Sequence, residues 1–167
     1  ALVAPIVGQR TDAGGKRKLW LGINTGIVIA ATFGMFFVEG TPQYFVLGIV
    51  LLTIGNVFYE MANVNYNAML LQVSTPKNMG RISGFGWGMG YFGGIVVLLV
   101  ALVGFVLGDP PYWFGVSTEA GMNIRAVTIL AAVWSLIFAL PVLFNVPENT
   151  ATAPGKKAGI IESYKIL

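Results

Sequence analysis

Residues 82–107 read ISGFGWGMGYFGGIVVLLVALVGFVL and contain no Asp, Glu, Lys or Arg. A helix rises about 1.5 Å per residue, and about 20 mostly apolar residues cross the roughly 30 Å hydrocarbon core of a bilayer. This stretch therefore reads as a membrane-spanning helix. Three others have the same character: residues 19–38, residues 43–72 with one carboxylate at Glu60, and residues 122–145 with Arg125 near the start. Residues 1–7 read as the end of a further helix. With no initiator Met and no charged segment ahead of them, they do not read as a signal peptide, and the chain is expected to be a piece of a larger protein.

Composition agrees. Of 167 residues, 56% are hydrophobic and 10% charged, and mean hydropathy is +0.76. Soluble domains carry about 25% charged residues, and disordered chains combine low hydrophobicity with high charge. Both classes are excluded. The absence of Cys and His removes disulfides, thiolate and imidazole metal sites, Cys nucleophiles and His-based triads. No metal, cofactor or enzymatic activity is expected. The net charge of +3 is too slight in so apolar a chain to suggest a nucleic-acid groove.

The junctions are turn-forming: Glu39-Gly40-Thr41-Pro42, Ser74-Thr75-Pro76-Lys77-Asn78, Gly108-Asp109-Pro110-Pro111, and Pro147 after the last span. Short cytoplasmic loops accumulate Lys and Arg. Nine of the ten basic residues fall in alternate segments: Arg10, Lys16, Arg17 and Lys18; Lys77 and Arg81; Lys156, Lys157 and Lys165. The opposite loops hold Glu39, Asp109 and Glu119 with no Lys or Arg. The basic loops are thus expected in the cytoplasm, in a bacterial plasma membrane. Tyr44, Tyr112 and Trp113 fall at an outer aromatic belt and Trp20 at the inner interface. The chain divides into a transmembrane region, 1–147, and a cytoplasmic tail, 148–167.

The first basic loop, Gly8-Gln9-Arg10-Thr11-Asp12-Ala13-Gly14-Gly15-Lys16-Arg17-Lys18, has the form G-x-x-x-D-x-x-G-K-R-K. Gly15 permits a tight helix-to-helix turn. Asp12 suits a helix N-terminus, and the basic run holds the loop inside. The loop resembles the signature between helices two and three of major facilitator superfamily transporters. Tyr66-Asn67-Ala68-Met69-Leu70 with Thr75-Pro76, the run from Gly80 through Gly94, Asn123-Ile124-Arg125 and Val146-Pro147-Glu148 resemble the unknown-major-facilitator family, whose relatives include vacuolar amino-acid effluxers of autophagy. The resemblance implies an all-α, polytopic transmembrane helical bundle, part of the N-terminal half of a major facilitator fold. The four spans would be helices three to six, and the tail would open the loop between the halves. One departure stands out. The family often pairs its loop arginine with an acidic residue near the inner end of helix four, where this chain has Asn63, Asn65, Asn67 and Gln72.

Asn56, Glu60, Asn63 and Asn67 are spaced 4, 3 and 4 apart and share a helical face, flanked by Tyr59 and Tyr66. A carboxylate in hydrocarbon costs roughly 2.5–3.5 kcal/mol on insertion scales, so Glu60 is expected to face a cavity or a partner. It either binds a substrate amine or exchanges a proton, because desolvation favours the neutral acid, or it is a structural carboxylate paired elsewhere in the bundle. The asparagines serve equally well as interhelical glue. Gly88-Met89-Gly90-Tyr91-Phe92-Gly93 matches G-x-G-x-x-G only formally, because no strand precedes it. Gly86, Gly90 and Gly94 make small-xxx-small pairs suited to helix packing. Arg125 either snorkels to the outer interface or binds a carboxylate at the outer mouth, Glu60 included. Trp134 reads as packing or as a substrate platform.

The function implied by the resemblance is secondary transport of a small polar solute, an amino acid or similar metabolite, by alternating access. Protons are a plausible coupling ion through Glu60. The expected partners are the bilayer, the solute and the remaining helices of the same transporter. A non-transporting membrane scaffold is the alternative, against which the mid-membrane carboxylate argues.

Overall fold

The computed structural model describes residues 17–146. Gly8, Asp12, Gly15, Lys16, the partial helix and the tail lie outside the described residues. Four helices long and apolar enough to cross a membrane account for most of the rest. Helix α1 spans Arg17–Gly34 and tightens into a 3₁₀ turn, Met35–Phe37. A second 3₁₀ turn, Pro42–Tyr44, carries proline in its first turn and leads into α2, Phe45–Val73. Helix α3 spans Met79–Phe105, and α4 spans Met122–Asn145. No strand occurs among the described residues. The protein is an all-α integral membrane bundle.

Few residues are buried, and alanines are the commonest of the buried hydrophobic ones: Ala31, Ala62, Ala101 and Ala132, beside Leu21, Met69 and Phe105. Leu98, Leu99 and Phe144, by contrast, stand exposed. Helices apolar all round do this in lipid. Lipid tails are as apolar as Leu, so association rests on close backbone approach at small residues and on polar contacts.

Helices α1 and α2 form the most extensive contact. They run antiparallel. A Cβ placed on Gly34 would lie 3.3 Å from Leu51 Cδ2, and one on Gly55 would lie 4.0 Å from the Ala31 Cβ. At the other end Arg17 Nη1 donates to the Ala68 carbonyl at 3.1 Å. The contact stripe on α2 runs through Leu51, Gly55, Ala62, Asn65 and Met69, separations of one or two helical turns that keep one face toward α1. Helix α4 closes on α1, where Leu143 reaches within 3.3 Å of a Cβ on Gly22, and on α3, where Trp134 Nε1 lies 3.9 Å from one on Gly93. Helices α2 and α3 barely touch. They are joined by the short loop at residues 74–78, in which the Thr75 N–H and hydroxyl both donate to Asn78 Oδ1, at 2.6 and 3.0 Å.

Helix α3 ends at Phe105, short of Gly108: the Val106 N–H makes the last helical bond, to the Leu102 carbonyl, and the Leu107 N–H turns back to the same carbonyl. Gly108 follows at φ +96°. Trp113 folds onto this end, its ring 6.5 Å from that of Phe105 and about 2.8 Å from where a Cβ on Gly104 would stand. Asn123 Nδ2 donates to the Phe105 carbonyl at 3.0 Å and ties α4 to the same end.

Candidate functional site

Because α2 and α3 diverge, a cleft opens between them with α1 as its floor and Ser135 of α4 at its side. It encloses about 680 Å³. Helix α2 contributes Tyr59, Ala62, Asn63 and Tyr66, and α1 contributes Leu21, Thr25, Val28 and Ile29. Helix α3 contributes Gly86, Gly90 and Gly94 at four-residue spacing, with Trp87 and Tyr91 beside them. The Trp87 and Tyr91 ring centroids are 6.2 Å apart. Among the described residues no charged side chain lines the cleft. Most of its lining residues fall in the interior turns of α1, α2 and α3, away from the helix ends. Such a wall of aromatic rings, hydroxyls and one amide suits a small solute that offers an apolar body and a few hydrogen-bonding groups.

The expected polar face of α2 divides. Asn63 faces the cleft with Tyr59. Asn56, Glu60 and Asn67 do not line it and are exposed among the described residues. The cause is helical geometry. At about 100° per residue, Glu60 points almost directly away from the stripe of Gly55, Ala62, Asn65 and Met69 that packs on α1. Asn63 lies about a sixth of a turn nearer that stripe. The amides close on their own helix. Asn56 Nδ2 donates to the Leu52 carbonyl at 2.9 Å, and Asn67 Nδ2 donates to the Asn63 carbonyl and Oδ1 at 2.9 and 3.0 Å. This is the usual back-bonding of short polar side chains to the preceding turn.

The glycines of α3 also divide. Gly86 packs, with Tyr66 Oη 3.0 Å from its Cβ position. Gly90 and Gly94 have nothing within 4 Å of theirs. Among the described residues they widen the cleft and join no other helix.

Arg125 meets Glu39, not Glu60. Its Nη1 lies 3.4 Å from Glu39 Oε1, its Nε donates to the Phe36 carbonyl, and its guanidinium carbon sits 4.9 Å from the Phe36 ring centroid. The side chain is 14% exposed. It fastens the start of α4 to the turn between α1 and α2, far from the cleft. At the opposite end of α1 Arg17, which with Lys18 is the described part of the signature loop, donates from Nη1 to the Ala68 carbonyl of α2. Trp134 stacks beside Phe138, with ring centroids 4.8 Å apart, and takes no part in the cleft wall.

Among the polar and aromatic wall residues, Trp87, Tyr91, Thr25 and Ser135 were not singled out by the sequence, and Tyr66 entered only as a flank of the polar face. The spacing Tyr59–Asn63–Tyr66 was a usable signal, because it also holds one helical face. For Thr25 and Ser135 there was none, since isolated hydroxyls in apolar helices usually bond to their own backbone.

Residues 1–165 match the family described as "Vacuole effluxer Atg22 like". The chain belongs to that family. It is also similar to the "Uncharacterized MFS-type transporter YxiO" of Bacillus subtilis (strain 168), with 27% identity over 149 residues, 89% of this chain and 34% of that protein. The Atg22-like chain thus spans about a third of the length of the curated relative it matches. No solved structure matches it.

Proposed function

We propose that this Atg22-like chain forms part of a secondary transporter that moves a small polar solute, an amino acid or similar metabolite, by alternating access. One observation carries the reading: the uncharged, aromatic-walled cleft between the interior turns of α1, α2 and α3. In transporters built from helical repeats, solute sites lie near the midplane between helices. Asn63 and the Tyr59 and Tyr66 hydroxyls bind the solute's polar groups, and Trp87 and Tyr91 pack on its body. Family membership and the similarity to an MFS-type transporter support the class of activity. Glu60 stands on the opposite face of α2 and meets the remaining helices or the transport pathway. There it takes a proton or a cationic group. The basic loops face the cytoplasm of a bacterial cell.

The test is uptake into vesicles that contain the full-length transporter, with radiolabelled standard amino acids as probes, with and without a pH gradient. Asn63→Leu is expected to lower uptake of the transported amino acid at least tenfold while the protein stays folded. No uptake of any amino acid under either condition contradicts the substrate assignment. Unchanged uptake in Asn63→Leu contradicts the site.

A further inference from the structure

Asn24 of α1 and Asn65 of α2 are the two most buried side chains of the described residues, at 2% and 1% exposure. Neither is fully satisfied there. Asn24 Nδ2 lacks an acceptor and Asn65 Oδ1 lacks a donor, while Asn65 Nδ2 donates to the Met61 carbonyl of its own helix at 2.9 Å. A buried amide group without a partner costs about 1–3 kcal/mol. One orphan here is a donor and the other an acceptor, so each is what the other lacks.

The register of the helix pair brings them together. Ala31 faces Gly55, and Arg17 reaches Ala68. Asn24 is therefore level with Ala62, and Asn65 is level with Leu21. Leu21, Ala62 and Met69 indeed pack in one cluster. The two asparagines lie in successive layers of the same interface, about 4.5 Å apart along the axis. Side chains in a helix lean toward its N-terminus. In an antiparallel pair this tilts Asn24 toward the Asn65 layer and Asn65 toward the Asn24 layer.

We propose that the two side chains, whose Nδ2 and Oδ1 do not meet in this structure, turn so that Asn24 Nδ2 donates to Asn65 Oδ1, and that this interhelical amide bond is a positioning device for the cleft. Their chain neighbours form its wall: Thr25 follows Asn24, and Tyr66 follows Asn65. The bond sits directly behind that wall. It sets the height of Thr25 on α1 against Tyr66 and Asn63 on α2, and it makes α1 and α2 one rigid unit when other helices move. The bond stands on the register and burial alone. The positioning role rests on the transport reading above.

A double-mutant cycle on the full-length transporter tests both parts. The variants are Asn24→Leu, Asn65→Leu and the pair, each measured for thermal midpoint in detergent and for KM and maximal rate of uptake of the transported amino acid. Each single variant strands one amide and is expected to lower the midpoint by roughly 2–4 °C. The double variant strands none and is expected to return to within about 1 °C of the parent. KM is expected to rise about three- to tenfold in all three with little change in maximal rate, because no variant holds the walls in register. Additive losses of midpoint in the double variant overturn the bond. Coupled midpoints with unchanged KM overturn the positioning role. A parent that transports no amino acid overturns the transport reading and the positioning role with it, while the midpoints still judge the bond. Where a Leu variant does not accumulate, the cycle is run with Ala, which removes the amide without adding bulk.

Discussion

Glu60 lies 15 residues after Phe45 and 13 before Val73, in the centre of a helix of 29 residues. Its face of α2 meets no other described helix. An ionised carboxylate at that depth is sustained only beside water or a cationic partner. Glu60→Gln is expected to leave the protein folded and to abolish either the pH dependence of uptake or the response to a cationic group. Uptake with the parent's rate, affinity and pH profile returns Glu60 to a structural role. Two glycines give opposite expectations from one measurement. Gly90 opens on the cleft with no atom near its Cβ position, so Gly90→Leu is expected to keep the thermal midpoint and to block uptake by filling the site. At Gly104 a new Cβ meets the Trp113 ring at about 2.8 Å. Gly104→Ala is expected to cost about 1–3 kcal/mol, read as a lowered midpoint, without a specific effect on KM.

At the scale of elements, the spans were legible because uncharged runs longer than a bilayer is thick have no other stable fold. Turn residues and charge punctuated them. Which face of each helix meets which neighbour was not legible. A helix apolar on every side carries no amphipathic signal, so the spacing of Asn56, Glu60, Asn63 and Asn67 gave a shared face without its direction. The packed stripe of α2 is written in small residues, Gly55 and Ala62, whose meaning appears only when α1 is set against them. Arg125 shows the same limit. Its depth near the start of α4 was clear, but its partners are Phe36 and Glu39, distant in sequence. That contact makes a prediction for the α1–α2 turn. Arg125→Met strands the Phe36 carbonyl and Glu39 and is expected to lower stability by about 1–3 kcal/mol. Glu39→Gln, which spares the bond to the Phe36 carbonyl, is expected to cost clearly less in the same thermal assay. Equal losses contradict the ranking of the two contacts.

For the whole molecule, topology and the cleft are separate questions. The chain contains no Cys, so single cysteines report without background from this region. Lys77→Cys and Thr118→Cys lie in loops at opposite ends of α3 and are expected to react with an impermeant thiol reagent from opposite sides of the membrane, Lys77→Cys from the cytoplasm. Labelling from the same side contradicts the arrangement. The all-helical membrane class and the family were readable from uncharged runs and a loop motif. The cleft was not, because it arises from the divergence of α2 and α3 over a shared floor, which no single helix encodes. Its role as the solute path is the central claim, and Asn63 tests it most directly. In the full-length transporter with any other cysteines removed, Asn63→Cys is measured for its rate of modification by a small hydrophilic thiol reagent, with and without the transported amino acid. The expected result is ready modification that slows at least severalfold when the amino acid is present. An Asn63→Cys that resists the reagent under all conditions, or reacts at a rate the amino acid does not change, contradicts the account.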